Sequence, residues 1–349
     1  MSDFLLADGF GNLADGAHVA ATDRSPLGSQ WTGYSYDFVL TDRSDGRKWL
    51  SVATSRKLLL TSKNLGGIST VAICFRVYRG NATASGFLQL YSATGLLGNI
   101  GINGSGSLVY SKDTSGIIGN DVVATSTDTI PEDTETFCEL RITLGDSGGS
   151  VAFYLNGVHS NTVSSIDTKA STGRGSLQYI VFGSCFEVST TIIAGWKFSD
   201  IIIHTAASPI GDVGVYYRPV DADGADSDFT PSAGSDNYAM VDEIGPDEDT
   251  THNESDGTAG HRDSFETAGI TNLDILSVGV MVRARKTDTG AATLLLGAIH
   301  GASEDQSAAK ALTEDYLTLT EFFDVCPSTS AAWSEAEVTA AELSYEVGA

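Results

Sequence analysis

Three groups of residues in this chain have the types and spacing that chemistry or ligand binding requires. Gly145-Asp146-Ser147-Gly148-Gly149 sets a serine in a glycine-rich loop. A nucleophilic serine needs a histidine base, an acid that orients the base, and backbone amides for the oxyanion. Only His18 precedes Ser147, and no aspartate segment between them completes the set. Asp, Ser and Gly are also what a hairpin turn selects, so Ser147 reads as a turn residue. Asp221, Asp223, Asp226 and Asp228 surround Gly224, and hard oxygen ligands at alternating loop positions suit calcium. Their spacing departs from the EF-hand loop, whose glycine follows three alternating ligands, and a solvated acidic loop is the competing reading. Asp247-Glu248-Asp249 is a second acidic turn with the same two readings. Trp31, Tyr34 and Tyr36 cluster in a Gly-Tyr-Ser-Tyr region, where flat rings are candidates for stacking on a glycan and ordinary loop packing competes.

Other chemistry lacks its parts. His18, His159, His204, His252, His261 and His300 are scattered, with no i, i+2 or i, i+4 pair to build a metal-binding face. A glycine-rich phosphate loop with its lysine is missing. Hydrolysis of a glycosidic bond needs two carboxylates flanking it, whereas Glu139 is the only acid of its strand and has no partner at a suitable spacing. These gaps lead to the expectation of a binding protein without a catalytic centre.

The elements that hold these residues follow from composition and period. A chain of 349 residues exceeds the usual single domain, and 41% hydrophobic content permits real cores. With 20 basic against 45 acidic residues the formal charge is −25, which repels phosphate backbones and argues against direct contact with nucleic acid. The opening MSDFLLADGF lacks a basic leader and a sustained apolar stretch, and no run approaches the roughly 20 apolar residues that span a bilayer. A soluble protein with no membrane span is expected. Cys74, Cys138, Cys185 and Cys326 are widely spaced and read as reduced core thiols, which fits assembly in a bacterial cytoplasm.

From Ser69 to His204 the period is two, the signature of half-buried strands. Val71, Ile73, Phe75 and Val77 alternate with Thr70, Ala72, Cys74 and Arg76. Cys138, Leu140 and Ile142 form a second strand, joined through Gly145 to Gly149 to a third that carries Val151, Phe153 and Leu155. Asn156-Gly157 predicts a type I′ turn. Further strands are expected over 87–91, 108–110, 177–182 and 196–203. Thr205 to Gly211 marks a boundary, which gives domains 1–207 and 208–349. In the second domain, 276–285 and 291–300 read as a hairpin and 316–325 as a strand. Short helices are predicted over 307–314 and 334–343, the latter with Ser334 and Glu337 at capping-box spacing and Trp333 packed into the core before it.

Two family resemblances accompany these readings. Arg218-Pro219, Asp223-Gly224, Phe229-Thr230-Pro231, Asn237-Tyr238-Ala239, Val241-Asp242-Glu243 and the acidic turn from Asp247 to Thr251 resemble a carboxy-terminal module of tailed-bacteriophage structural proteins. Phe229 stands where Trp is commoner in that module, and His252 where Tyr is expected. The hairpin from Val151 to Val158 and the strand from Gly195 to Ile203 are similar to laminin-G and concanavalin-A-like sandwiches. Together these resemblances imply a mainly β protein: an N-terminal concanavalin-A-like jelly-roll sandwich and a smaller β-rich domain with one or two short helices. They imply a non-enzymatic virion structural protein, tail-associated or capsid-decorating, that contacts other virion proteins as a homo-oligomer, with a trimer suggested. The alternative expectation is a carbohydrate-binding adhesin that contacts a host-surface glycan. No cofactor is expected beyond the calcium candidate.

Overall fold

The computed structural model of the chain describes residues 3–8, 16–18, 31–35, 38–42, 47–52, 59–62, 64–80, 85–113, 120–183, 196–244 and 249–349. Described residues fall into two compact units, one up to Tyr217 and one from Arg218 to Ala349. Both are built almost entirely of antiparallel strands, as the period of two requires.

In the first unit the strands are β1 (Phe4–Asp8), β2 (Gly16–His18), β3 (Trp31–Ser35), β4 (Phe38–Asp42), β5 (Lys48–Val52) and β6 (Leu59–Ser62). They continue as β7 (Thr70–Tyr78), β8 (Ser85–Ser92), β9 (Gly95–Ile102), β10 (Ser107–Ser111) and β11 (Val122–Thr129). The last five are β12 (Glu135–Thr143), β13 (Gly149–Leu155), β14 (Val158–Ile166), β15 (Tyr179–Gly183) and β16 (Lys197–His204). One sheet has nine strands in the order β14-β13-β12-β7-β16-β5-β4-β2, with β1 also paired to β16. The other has seven, β11-β10-β9-β8-β15-β6-β3. Aromatic rings from both sheets interlock between them: Phe75 of the nine-stranded sheet lies 5.0 Å from Phe87 and 6.3 Å from Phe182 of the other. Phe198 closes the cluster, 4.9 Å from Phe182 and 5.4 Å from Phe87. Edge-to-face rings fully removed from water make this the packing centre of a β-sandwich.

Register decides which side chains enter that core. In the seven-stranded sheet one continuous row runs Tyr34, Leu60, Phe182, Leu88, Ile100, Tyr110, Ala124. Phe182, Leu88, Ile100 and Tyr110 of this row are fully buried, so the row faces inward. Its neighbour, one residue along each strand, runs Gly33, Thr61, Val181, Gln89, Asn99, Ser111, and faces outward. The turn at Asn156-Gly157 takes φ of 47° and 76°, the two positive angles the dipeptide predicts.

The segment after β16 belongs to the first unit rather than the second. It crosses the outer face of the nine-stranded sheet, where Ile210, Val213 and Val215 pack against Phe137, Cys74 and Ile202. Arg76 holds it by an ion pair to Asp212 at 2.6 Å and a hydrogen bond to the Val213 carbonyl, and Arg141 donates to the carbonyls of Ala206 and Ala207. The unit therefore ends ten residues past the boundary that composition suggested at 207/208.

The second unit contains β17 (Val220–Ser227), β18 (Thr230–Pro231), β19 (Asn253–Glu254), β20 (Arg262–Thr267) and β21 (Val278–Ala284). Then come β22 (Thr293–His300), β23 (Ser303–Gln306), β24 (Lys310–Ala311), β25 (Leu317–Phe323) and β26 (Glu342–Val347). A sheet in the order β17-β20-β26-β22-β23, with β24 on β22, packs its apolar side with Phe265, Leu296, Ala298, Cys326, Trp333 and Tyr345. Trp333 is buried and its indole donates to the Phe323 carbonyl at 2.9 Å, the core role expected of it. Helix α1 (Glu335–Ala340) comes next, and both hydrogen bonds of the Ser334–Glu337 capping box are present.

Two expectations fail here. The strands over 276–285 and 291–300 are not a hairpin: β21 pairs with β25, and β22 with β26 and β23. Alternation specifies a buried face and leaves the partner open. The predicted helix over 307–314 is instead extended, with Lys310 and Ala311 paired to Leu294 and Thr293. Ser307 is buried, accepts the Leu296 amide and donates to the Ala308 carbonyl, and these sheet contacts override helix propensity.

Candidate functional site

The outward row of the seven-stranded sheet is polar across its centre. Gln89 donates to Asn99 Oδ1 at 3.1 Å, and Asn99 in turn donates to the Asp113 carbonyl at 2.7 Å. Two residues further along β8, the Tyr91 hydroxyl donates to Gln89 Oε1 at 3.1 Å. Tyr91 stands directly opposite Tyr179 of β15, and both rings are half-buried while Gln89 and Asn99 are buried behind them. The result is a pair of tyrosines on adjacent strands, backed by a relay of neutral amides in which each donor has an acceptor. The six residues of the outward row carry no charge.

The opposite outer face, on the nine-stranded sheet, is charged and covered. Asp200 accepts from Arg47 at 2.5 Å, from Arg76 Nε at 2.9 Å and from the Val215 amide at 3.0 Å. Burial pushes its carboxyl up, and the two guanidiniums and the amide pull it back. Asp200 also has φ of 49° and sits in a bulge of β16, where Ser199 faces Arg76 but Ile202 faces Cys74. That extra residue reverses the facing of the rest of the strand, so Ile202 and His204 point outward under the covering segment while Ile201 and Ile203 fill the core. Three residues meet there: Cys74 of β7, Glu139 of β12 and His204 of β16, whose ligand atoms all lie within 4.8 Å of one another.

The residues singled out from the sequence are placed elsewhere. Trp31 and Tyr34 lie on β3, the edge strand of the seven-stranded sheet, and Tyr36 lies outside the described residues. Tyr34 shares the inward register row, not the outward one. Asp221 is exposed on β17, Asp223 accepts the amides of Asn237 and Tyr238, Asp226 pairs with Arg262 at 2.6 Å, and Asp228 accepts the Arg262 amide. The four carboxylates are thus engaged in capping and pairing, and among the described residues only Cys74, Glu139 and His204 gather as a group of ligating atoms. Asp249 accepts from Arg285 and Tyr316. Ser147 is exposed between β12 and β13, and its neighbour Asp146 caps Gly173 and pairs with Lys169 at 3.7 Å. Cys74, Cys138 and Cys326 are free and buried, and Cys185 lies outside the described residues. Sequence reading missed Gln89, Tyr91, Asn99 and Tyr179. Their signal was present as polar residues at alternate positions of apolar strands, in Phe87-Leu88-Gln89-Leu90-Tyr91.

No protein-family model and no curated protein sequence matches the chain. Solved structures that are similar to it include alginate lyase Aly36B in complex with alginate tetrasaccharide, at 12% identity and a TM-score of 0.41, covering 59% of this chain and 98% of that one. A marine PL-14 alginate lyase from Aplysia kurodai matches at 10% identity and TM-score 0.40, covering 56% of this chain and 99% of that one. An endo-β-1,4-glucuronan lyase from Trichoderma reesei matches at 10% identity and TM-score 0.38, covering 58% of this chain and 96% of that one. These matches overturn two expectations from the sequence, that the chain is a virion structural protein and that it is not an enzyme. Polysaccharide lyases stand where particle proteins were expected.

Proposed function

We propose that the sandwich ending at Tyr217 engages a polysaccharide along the outer face of its seven-stranded sheet, with Tyr91 and Tyr179 as the platform. The observation that carries this reading is the cross-strand tyrosine pair, half-open to solvent and fixed from behind by Gln89 and Asn99. Neighbouring strands are about 4.8 Å apart, so two rings on adjacent strands offer a continuous apolar surface on which a sugar ring stacks. A phenol can both donate to and accept from sugar hydroxyls. Because the Tyr91 hydroxyl is already oriented by Gln89, little side-chain entropy remains to be lost on binding.

A second reading, eliminative cleavage of a uronate-containing chain, is favoured by the same hydrogen bond. Proton abstraction next to a carboxylate uses a group such as a phenol to move the proton and a neutral hydrogen-bonding group beside it, and Tyr91 and Gln89 are such neighbours. Titration calorimetry against neutral and uronate-containing polysaccharides tests the binding reading, and ultraviolet detection of unsaturated chain ends tests cleavage. Binding that weakens about tenfold in Tyr91→Ala and in Tyr179→Ala is the expected result. A folded protein that binds no polymer of either class would overturn the proposal.

A further inference from the structure

His204 is the least explained side chain among the described residues. It is fully buried, yet neither ring nitrogen makes a hydrogen bond. A neutral imidazole carries one donor and one acceptor, and leaving both unpaired inside a protein costs about 1–3 kcal/mol for each. Its Nε2 points at Glu139 Oε1, 3.6 Å away, and Cys74 is the direct cross-strand neighbour of Glu139. The three residues come from three consecutive strands, β12, β7 and β16, and all are buried.

From this arrangement we propose that Cys74, Glu139 and His204 form a structural binding site for a borderline-soft divalent cation, zinc foremost. Thiolate, imidazole and carboxylate together are a zinc donor set. With zinc bonds of about 2.0–2.3 Å, tetrahedral ligands stand roughly 3.5 Å apart. The His204–Glu139 separation of 3.6 Å already meets that spacing, and the whole group lies within 4.8 Å. The surroundings supply the outer support such sites use. The Ile210 amide donates to Glu139 Oε2 at 3.2 Å and Arg141 to Oε1 at 3.3 Å, which fixes the carboxylate. Phe4 of β1 lies 6.0 Å from the His204 ring.

Charge closes as well. On binding, the Cys74 thiol loses its proton to solvent, and a dication with one thiolate and one carboxylate leaves a neutral centre. Without a cation, burial and the neighbouring Glu139 push the Cys74 thiol well above its usual range, and a bound dication reverses that preference. The bulge at Asp200 is what turns His204 outward, toward Cys74 and Glu139. Under this reading the cation pins the end of β16, and the covering segment after it, to the middle of the sheet.

The test uses the full chain, because the site is sealed and loads as the protein folds. After expression with added zinc, elemental analysis is expected to find about one zinc ion per chain. Refolding with cobalt is expected to give the absorption of a tetrahedral cobalt centre, with a thiolate charge-transfer band that reports Cys74. Cys74→Ala and His204→Leu should each lose the metal, while Cys138→Ala, which removes the buried cysteine of the inner face, should keep it. The cobalt spectrum of the unaltered chain needs no variant, so a variant that fails to fold leaves the proposal exposed to refutation. Folded protein without zinc and without a cobalt spectrum would overturn it, leaving a bare His204–Glu139 ion pair. Metal retained in both Cys74→Ala and His204→Leu would overturn it equally.

Discussion

The two outer faces of the sandwich solve the same problem in opposite ways. Each has polar side chains where a sheet presents its second surface. On the nine-stranded sheet these are charged: Arg47, Arg76, Arg141, Glu139 and Asp200, every one of them buried or nearly so beneath the segment that ends at Tyr217. On the seven-stranded sheet they are neutral, Gln89, Asn99, Ser111 and the two tyrosines, and the tyrosine end is half-open. Charges removed from water demand partners at every lone pair, and the covering segment supplies them from its own backbone. Neutral amides need only each other, so that face can remain uncovered at one end and exchange water for sugar hydroxyls at small cost. The charged face is therefore an internal joint, and the neutral face is the one suited to a ligand.

The largest effect is expected at the joint. Asp200→Asn keeps the shape and tolerates the positive φ, but leaves Arg47 and Arg76 uncompensated. It should cost about 3–5 kcal/mol in urea unfolding. If the contrast between faces is correct, the molecules that still fold will bind polysaccharide with unchanged affinity, and a parallel loss of affinity would break it. Next comes the amide relay: Gln89→Leu removes the donor to Asn99 and the acceptor of the Tyr91 hydroxyl, at a cost of about 1–3 kcal/mol in the same measurement. This substitution should also weaken binding, because the platform loses its support. Tyr91→Phe sharpens the comparison further. It keeps the ring and deletes the hydroxyl, so affinity should fall only a few-fold, within about 1 kcal/mol, while any eliminative cleavage is abolished. The smallest effect lies far from both faces. The Ser334 hydroxyl and amide donate to Glu337 and hold its carboxyl down to about 2, with Thr329 adding a third donor. An acid held below its unfolded value stabilises the fold above the usual carboxylate range near 4.3 and loses that contribution as pH falls toward 2. Amide signals of α1 should fray over that interval, with polysaccharide binding unaffected in the upper part of it.

Much of this architecture was legible beforehand. The alternation of Val71, Ile73, Phe75 and Val77 fixed which side of β7 enters the core, Asn156-Gly157 announced its turn, and Ser334 with Glu337 announced the helix start. Each signal is local, because a strand's facing, a positive φ and a cap depend on a few neighbouring residues. The failures are equally instructive. The segments over 276–285 and 291–300 each read correctly as strands, but which strand each would join was not in the pattern. Ala308 to Glu314 favours a helix by composition, and one buried serine with its sheet contacts decided otherwise.

The site divides along the same line. The sequence by itself determined a β protein of two units, the inward rows of its strands, its acidic balance and its reduced buried thiols, since these follow from side-chain period and composition. Only the tertiary structure decided that Tyr91 meets Tyr179, residues 88 positions apart in the chain, and that Cys74, Glu139 and His204 share one buried corner. The reason is that strand order and a single bulge set those neighbours. Asp200 shows it most directly: one inserted residue, at a φ of 49° that no alternation pattern reveals, turns His204 from the inner face to the outer one.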